Sequence, residues 1–413
     1  MQLLIPVPQP NRVLLLCNSY PPEIGAAPLR MRGMAHLLRD AGYEVGVLAG
    51  MPNYPTGRIF PEYQKASALL TETIEGIVVC RLPFAPSNSA NRIQRTGSLF
   101  SLSGALLRYG SAFIDYFWPD QMLISSPPLP LALCGAWLAR RHRIPFVLNI
   151  SDLWPLTARE LGALREGTLY ASLERAETWL LSRAKGFIGQ SEEILHYISA
   201  RKPTAKPSFL YRNLLPGVSP EAICLPLGSG PRRMVYAGLI GPVQGILEIA
   251  TQVDFAACGL ELHLYGDGAD REALESFVTK HPERGVFYKG LISSEDMFRK
   301  LPQYDFALAS LRTALYGAVP SKIYAALASG LPVVFMGGGE GAALIRQHKI
   351  GWTLPAGSPA ALEAQLPLLR SIPESDLLRM RQHIVQIQQS QFQYEQQGKA
   401  FVEFMREMES RRA

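Results

Sequence analysis

The segment 316–345, YGAVPSKIYAALASGLPVVFMGGGEGAALI, constrains the fold more than any other part of the chain. Pro320 and Ser321 are helix-start signals, because Ser can cap free backbone amides and Pro ends the preceding extended run. Apolar residues then recur at helical spacing until Gly330, which suits the left-handed residue that ends a helix. The following LPVVFM is apolar enough for a strand buried on both faces. This order predicts part of an α/β domain with a parallel sheet.

Lys322 stands in the first turn of this predicted helix. The positive end of the helix dipole repels a cation there by about a few tenths of a kcal/mol. A bound anion would reverse the sign, because free amides, dipole and ammonium would all converge on it. A phosphate or diphosphate fits this description. A solvated lysine at a helix end explains the same residues equally well, so both interpretations stay open.

The length and charge of the chain limit its class. A chain of 413 residues predicts two α/β domains of about 200 residues each. The net charge of +6, with no dense run of Lys and Arg, argues against a nucleic-acid partner and leaves anionic lipid and phosphorylated substrates open. Five scattered cysteines indicate reduced core thiols rather than disulfides or a metal site. They are Cys17, Cys80, Cys134, Cys224 and Cys258.

The hydrophobic segments do not predict a membrane span or a signal peptide. The N-terminal MQLLIPVPQPNRVLLLC lacks a basic start, and three prolines interrupt it. Elsewhere no apolar stretch continues for about 20 residues without a charge or a proline. We therefore expect a cytoplasmic protein.

The segment 92–118 predicts a helix or a helix pair with apolar residues at helical intervals and with Arg92, Arg95 and Arg108 beside them. One interpretation is an apolar and basic surface that meets an anionic bilayer or a lipid-linked acceptor. The other is an ordinary helix packed on the sheet. The second is favoured, because every α/β domain needs such helices.

Three loops in the first half follow predicted strands. Gly25 lies in the loop after RVLLLCN, the proline- and aromatic-rich loop 51–64 follows YEVGVLAG, and Asp152 in DLWP follows IPFVLNIS. Open parallel sheets bind ligands at the carboxyl ends of their strands, which is where α/β enzymes place acids and bases. A tight turn at Gly25 and a helix cap at Asp152 are the purely structural alternatives.

The second half repeats this pattern with glycine loops. Segments 238–245, 266–268 and 337–341 each follow a predicted strand. One such loop is weak evidence for a phosphate site, but three in one domain are harder to explain as turns. The loop-like segment 202–233 predicts an interdomain linker. The helical, Gln-rich end of the chain is expected to pack back across the domain boundary.

Several stretches together resemble the retaining glycosyltransferases of family four, which have the GT-B architecture. The similarity favours the bacterial branch that assembles colanic acid, O-antigen and capsule on undecaprenyl-linked sugars. The stretches are PPEIGAAPLRMRGMAHLLRDAGYEV, PNYPTGRIFPEY, SSPPLPLAL, DLWP, YAGLIGPVQG, YGDGADREAL, VPSKIYAALASGLPVV and FQYEQQ. They occur in the family's order from about residue 12 to residue 405.

The resemblance implies two Rossmann-like α/β domains with parallel sheets facing across a cleft. The expected boundaries are an acceptor-side domain at 1–205, a linker at 206–233, a nucleotide-sugar domain at 234–385 and a C-terminal helix at 386–413 that returns to the first domain.

The resemblance also implies roles for individual residues. Asp152 and Lys322 would be catalytic, with Tyr54, Arg58 and Asp152 toward the acceptor. The expected donor-binding residues are Gly25, Gly238, Gly241, Gln244, Gly245, Gly266, Arg312, Pro320, Ser321, Lys322 and Glu340. The expected donor is a nucleotide-diphosphate sugar, a UDP-sugar in the first place, and no metal or other cofactor is expected. Transfer would proceed by front-side displacement with retention, and Lys322, the helix N-terminus and Arg312 would stabilise the leaving diphosphate.

Two positions depart from the family pattern. Many relatives carry two Glu residues eight apart where this chain has Gly317 and Ala325, and the second of them holds the ribose. The residue before the strand-tip Asp is often His or Arg, and here it is Ser151. Either Glu340 compensates at the ribose, or the protein is a weakened or non-catalytic relative.

Three functions therefore remain open at this stage. A sugar transferase at the inner face of a bacterial membrane is favoured. A nucleotide-sugar 2-epimerase would need a cluster of His and acidic residues, which the seven histidines do not suggest. A degenerate transferase that serves as a binding or scaffold partner is supported by Ala325 and Ser151.

Overall fold

The structure is a computed structural model that describes residues 11–54, 56–65, 68–87, 92–201, 205–217 and 230–410. The chain divides into two compact units. The first unit extends to Tyr211 and resumes at Gly398, and the second is Arg212–Gln397. Cys224 and residues 218–229 of the predicted linker lie outside the described residues.

The first unit is built on an eight-stranded sheet with the order β3-β4-β2-β1-β5-β6-β7-β8. The strands are β1 Arg12–Leu16, β2 Glu44–Gly50, β3 Leu70–Ile74, β4 Ile77–Leu82, β5 Gln121–Ser126, β6 Phe146–Ile150, β7 Gly186–Gly189 and β8 Ser208–Leu210. Strand β3 pairs antiparallel with β4, and the remaining neighbours are parallel. The helices are α1 Ala26–Asp40, α2 Arg92–Phe117, α3 Leu129–Arg141, α4 Leu156–Glu160, α5 Thr168–Arg183 and α6 Glu192–Ala200. Apolar clusters pack on both faces of the sheet.

The second unit carries a six-stranded parallel sheet with the order β11-β10-β9-β12-β13-β14. Its strands are β9 Arg232–Ala237, β10 Leu260–Tyr265, β11 Val286–Tyr288, β12 Phe306–Ser310, β13 Val333–Met336 and β14 Gly351–Leu354. Its helices are α7 Ile246–Gln252, α8 Arg271–Lys280, α9 Ser294–Lys300, α10 Ser321–Ala328, α11 Gly339–His348, α12 Pro359–Arg370 and α13 Glu374–Gln391. This sheet also has an apolar cluster on each face.

The last helix, α14 Tyr394–Ser410, returns to the first unit as predicted. Phe401 lies 5.3 Å from Tyr211 between ring centroids, and Phe404 lies 5.5 Å from Phe209. The chain therefore crosses between the units at residues 211/212 and again at 397/398.

The observed boundaries differ from the predicted ones at 205, 234 and 386. Strand β8, which lies in the predicted linker, pairs with β7 and so belongs to the first unit. Helix α13 stays with the second unit, because Ile384 packs into one of its apolar clusters.

The helix α2 is a single helix rather than a pair. Leu102, Leu106 and Phe113 are buried against the sheet and α3, so one face of it packs as an ordinary domain helix. Among the described residues, no helix combines the length and the apolar character needed to span a bilayer. Cys17, Cys80, Cys134 and Cys258 are free thiols, as predicted.

Candidate functional site

The proposed donor residues of the second unit lie at the carboxyl ends of neighbouring strands in its sheet. Gly238 follows β9, Gly266 follows β10, Arg312 follows β12 and Glu340 follows β13. Two further groups connect strands to helices on the same edge: Gly241, Gln244 and Gly245 before α7, and Pro320, Ser321 and Lys322 at the start of α10. The sheet therefore gathers these residues at the edge where α/β folds bind ligands.

The start of α10 differs in one detail from the prediction. Pro320 occupies the cap position, Ser321 is the first helical residue, and no side chain caps the helix. The expectation of a capping Ser321 is therefore wrong, because the residue lies one position too far into the helix for its hydroxyl to reach the amides in front of it. Gly330 has the predicted left-handed φ of 63° just beyond the helix. The Ile323 amide donates to the Pro320 carbonyl at 3.0 Å, whereas the first two amides of α10, those of Ser321 and Lys322, have no partner within the helix.

Lys322 is half-buried, not an exposed lysine at a helix end. Its Nζ lies 4.7 Å from the centroid of the Tyr236 ring, a distance at which cation and ring attract each other. Burial lowers the pKa of Lys322 to about 8, because the ammonium has lost water. In the part of the chain that the structure describes, no carboxylate forms an ion pair with it. The solvated-lysine interpretation does not fit this environment, whereas a bound anion would supply the missing partner.

The glycines beside Lys322 are explained by close packing. A Cβ added to Gly238 would lie 2.6 Å from the lysine Nζ, so a glycine leaves room for the ammonium. A Cβ at Gly266 would lie 1.8 Å from the carbonyl oxygen of Gly238. Gly266 therefore lets the loops after β9 and β10 touch, and this contact accounts for the residue without any ligand.

The loop before α7 presents a polar atom that lacks a protein partner. The side-chain Oε1 of Gln244 is buried and accepts no hydrogen bond from any described residue. Its main chain is held on both sides, because the Gln244 amide donates to Gly241 at 3.1 Å and its carbonyl accepts from Ser310 Oγ at 2.7 Å. A buried acceptor without a hydrogen bond lowers the stability of the folded protein by about 1–3 kcal/mol. A ligand hydroxyl that donates to this oxygen would recover that free energy.

Arg312 is fixed by its backbone more than by its side chain. Its amide donates to the Val243 carbonyl at 2.8 Å, while the guanidinium lies 3.5 Å from Glu248 and is 59% exposed. An exposed pair of this kind contributes little to stability. Arg312 and Gly245 line an open groove of about 710 Å³ between α7 and α8. The expected role of Arg312 at a diphosphate stays a prediction.

Ala325 and Glu340 are the two positions that bear on how a donor ribose would be held. Ala325 is partly buried on α10 and offers no acceptor. Glu340 enters from the adjacent α11, whose Gly341 packs closely on Ile323 of α10. However, the Glu340 carboxylate already lies 3.6 Å from the Arg212 guanidinium. Glu340 can replace the missing carboxylate only if a ligand competes with this ion pair.

In the first unit, Glu23 organises the loop that carries Tyr54. The buried Glu23 carboxylate accepts the amides of Tyr20, Asn53 and Tyr54 at 3.2, 3.0 and 2.9 Å. A Cβ on Gly25 would lie 3.5 Å from the Tyr54 ring. The predicted residues Gly25 and Tyr54 are therefore neighbours. Arg58 is exposed farther along the same loop.

Asp152 follows β6 and is half-buried. Desolvation raises the pKa of its carboxyl to about 6, and the charge of Arg30 opposes this rise. The guanidinium of Arg30 donates to Asn149 Oδ1 and, at 2.6 Å, to Gln190 Oε1. Among the described residues, none donates a hydrogen bond to the Asp152 carboxylate, which leaves it available to a ligand.

The residues predicted for the site did not include Glu23, Arg30, Asn149 and Gln190. A polar Asn149 inside the apolar strand FVLNI was a detectable signal, as was the charge of Arg30 on the apolar face of α1 that also carries Met34. No group of three or more His, Cys, Asp or Glu side chains suited to a metal occurs within the described ranges. Metal-independent donor binding stays a prediction.

Comparison with known proteins matches each unit to a separate glycosyltransferase domain family. The family "Glycosyl transferase 4-like domain" matches residues 25–207, and "Glycosyl transferases group 1" matches residues 232–370. A probable glycosyltransferase of Pseudomonas aeruginosa, WbjE, is 25% identical over 321 residues, which cover 71% of this chain and 78% of that protein.

Two solved structures show the same fold. HepE of Anabaena, in complex with UDP-glucose, has a TM-score of 0.67 at 16% identity and covers 96% of this chain and 99% of its own. The lipopolysaccharide outer core galactosyltransferase WaaB, in its apo form, has a TM-score of 0.60 at 14% identity. The match covers 96% of this chain and 99% of the WaaB chain. The two structures show that the chain has the GT-B fold, and the two domain matches together with WbjE support a glycosyltransferase.

Proposed function

We propose that the protein transfers a sugar from a nucleotide-diphosphate donor, with retention of configuration, to an acceptor carried on a polyprenyl diphosphate. The reaction would belong to the synthesis of a bacterial surface polysaccharide. The residues of the second unit would hold the donor, and Asp152, Tyr54 and Arg58 of the first unit would hold the acceptor.

The observation that carries this proposal is the environment of Lys322. A desolvated ammonium, the first-turn amides of α10 and the Gly238 backbone meet at one point of the sheet edge. A diphosphate supplies the negative charge that this point lacks, and charge-assisted hydrogen bonds to it are the strong kind. As the donor bond breaks, negative charge grows on the diphosphate, so the same groups would stabilise the transition state.

The nature of donor and acceptor rests on similarity. HepE binds UDP-glucose, which favours a UDP-sugar. WaaB acts in the lipopolysaccharide outer core, and the motifs of this chain resemble transferases of surface polysaccharides. The buried Oε1 of Gln244, which accepts no hydrogen bond from the described residues, suits a hydroxyl of the donor.

Ala325 favours a second candidate, a degenerate GT-B protein that binds a nucleotide without transferring sugar. Relatives hold the ribose with a carboxylate at this position, and here the nearest sequence alternative, Glu340, is paired with Arg212. Such a protein would act as a binding or scaffold partner.

Ligand-induced thermal stabilisation tests the proposal. We expect UDP and UDP-glucose to raise the unfolding temperature, whereas uridine, which lacks the diphosphate, should not. Binding to the native state adds about 2.7 kcal/mol of stability at a hundredfold excess over Kd. Stabilisation without release of UDP from UDP-glucose or other UDP-sugars, in the presence of acceptor lipid, would support the degenerate candidate. If UDP, ADP, GDP and TDP all leave the unfolding temperature unchanged, the donor site is wrong.

We also propose peripheral association with an anionic membrane through the first unit. The helix α2 exposes Phe100, Leu107 and Arg108 along its length, and at its C-terminal end Tyr116 and Trp118 are 75% and 71% exposed. Exposed apolar and aromatic residues on a segment that also carries arginines suit the headgroup region of a bilayer. The side chain of Arg92 lies outside the described residues.

We expect the protein to float with anionic liposomes at low salt and to lose binding as salt increases. Replacing Tyr116 and Trp118 together by serine should reduce the bound fraction several-fold. Leu368→Ser is the matched control, because Leu368 is 61% exposed on α12 of the second unit. A native protein that stays unbound at low salt would mean that α2 is an ordinary packed helix.

A further inference from the structure

Arg30 is a charged residue in an apolar place. It is 8% exposed on the inner face of α1, between the buried Pro28 and Met34. A buried guanidinium is costly unless hydrogen bonds or opposite charge compensate it. Its surroundings lower the pKa of Arg30 to about 10, because burial outweighs the attraction of Tyr211 and Asp152.

The hydrogen bonds of Arg30 lead to the peptide beside Asp152. One guanidinium nitrogen donates to Gln190 Oε1 at 2.6 Å, and the other donates to Asn149 Oδ1. The Gln190 side-chain nitrogen in turn donates to the carbonyl of Ser151. Arg30, Gln190 and the Ser151 peptide therefore form one continuous chain of contacts that ends next to the Asp152 backbone.

This chain of contacts links separate elements. Asn149 lies on β6, and Gln190 follows β7. Asn149 also donates to Ser125 Oγ at 3.2 Å, which extends the network to β5. A planar guanidinium can serve two acceptors at a fixed angle, which a lysine cannot do. The geometry therefore depends on arginine and not only on a positive charge.

Arg30 also acts on the Asp152 carboxylate through its positive charge. Among the described residues, Arg30 is the one charged group with a resolved effect on Asp152. The two groups that accept hydrogen bonds from Arg30, Asn149 and Gln190, are neutral amides. No second cation of the described residues is therefore available to compensate the carboxylate.

We propose that Arg30 is a positioning residue for Asp152: its contacts with Asn149 and Gln190 fix the Ser151 peptide that precedes Asp152, and its positive charge acts on the Asp152 carboxylate. The role of Asp152 in catalysis rests on the proposed function. The coupling between Arg30 and Asp152 does not, and it can be measured without turnover.

The first arm of the test is the pH dependence of thermal unfolding from about pH 4 to about pH 8, with and without Asp152→Asn in each background. The difference between each pair isolates the titration of Asp152. In Arg30→Gln we expect this titration to move upward by about one pH unit or more, because an opposite charge has been removed. In Arg30→Lys it should stay near its native position. Arg32→Gln is the matched control, since Arg32 lies on the same helix but pairs with Glu75 on the surface.

The second arm measures release of UDP from UDP-glucose as a function of pH. Arg30→Lys should lower kcat at least tenfold without moving the acid limb, because the charge remains and the two amide contacts are lost. Arg30→Gln should lower kcat and also move the acid limb to higher pH. If Arg30 has a purely structural role, its substitution would instead lower the unfolding temperature and leave kcat and the acid limb of the pH profile unchanged.

Gln190→Met keeps the charge and breaks the contact with Ser151, so it replaces Arg30→Gln if that variant fails to fold. We expect it to lower kcat with the Asp152 titration unchanged. The proposal is overturned if Arg30→Gln leaves the titration where it is, or if Arg30→Lys and Gln190→Met retain native kcat. A shifted titration in a protein that releases nucleoside diphosphate from none of the UDP-, ADP-, GDP- and TDP-sugars would contradict the proposed function and leave the coupling intact.

Discussion

Replacing Lys322 with methionine is expected to weaken UDP binding by about tenfold to a hundredfold and to stabilise the unliganded protein. A hydrogen bond to a charged group contributes about 1.5–3 kcal/mol, and each 1.4 kcal/mol is tenfold in affinity. The leaving diphosphate carries more charge than the bound donor, so we expect sugar transfer by Lys322→Ala or Lys322→Met to fall by about a hundredfold or more.

The stabilising effect follows from the lowered pKa of Lys322. The pKa falls from 10.5 to about 8 on folding, so below pH 8 the folded protein carries a buried charge that costs about 3 kcal/mol. This cost disappears as the pH rises from about 8 to 10.5, because the folded lysine then loses its proton before the unfolded one does. The native protein should gain stability in that window, whereas Lys322→Met should already have the gain at pH 7.

Calorimetric titration with UDP at about pH 7 and about pH 9 measures the effect on binding. We expect the native affinity to be constant below pH 8 and to fall by up to about tenfold per pH unit above it, because the ligand requires the charged lysine. Lys322→Arg should lose this pH dependence, and Lys322→Met should bind weakly at both values. Lys399→Met removes an exposed lysine from α14 and should behave as the native protein. Native affinity in Lys322→Met would exclude the lysine from the diphosphate site.

The elements that were predicted correctly are those with a strong local pattern. Helix α10 and strand β13 have helical periodicity, a glycine stop and an uninterrupted apolar run, and all of these signals lie within a few residues. The position of the cap was wrong by one residue, because Pro320 and Ser321 are both acceptable start signals and only the backbone path decides between them.

Strands β3 and β8 were missed for a different reason. Strand β3 is half-exposed at the edge of the sheet, and LTETI contains few residues that indicate burial. Strand β8 has only three residues, so its alternation of apolar and polar side chains is too short to distinguish it from a loop. Both strands are defined by their neighbours, β4 and β7, and not by their own composition.

Half of the candidate site was predictable and half was not. Lys322 starts a predicted helix and Asp152 follows a predicted strand, so local reasoning found both of them. Gln244 was named because of the family resemblance. The contacts of Arg30 join residues 119 and 160 positions apart, and no pattern within one segment indicates such a pairing. The burial of Lys322 was also missed, because it depends on the Tyr236 ring, which lies on strand β9 and far from Lys322 in the sequence.

Asp152→Asn is expected to remove most activity and to make the protein more stable at neutral pH. The carboxyl would hold and polarise the acceptor hydroxyl, and groups that handle a proton in this way contribute about a hundredfold to ten-thousandfold. Burial raises the pKa of Asp152 from 3.8 to about 6, so the ionised carboxylate costs the folded protein about 3 kcal/mol above pH 6. Such a cost is retained in a site where function requires the charge.

The sign of the pH dependence separates this explanation from a simple loss of folding. As the pH rises from 3.8 to about 6 the unfolded chain releases its proton first, so native stability should fall across this window and stay low above it. Asp152→Asn should match the native protein near pH 4 and unfold at a higher temperature at pH 7, while native activity rises through about pH 6. Asp40→Asn, which removes a carboxylate that is 65% exposed, should change neither profile. If Asp152→Asn is destabilised at every pH, or if it retains native turnover, the carboxyl is a structural cap and the acid limb belongs to another group.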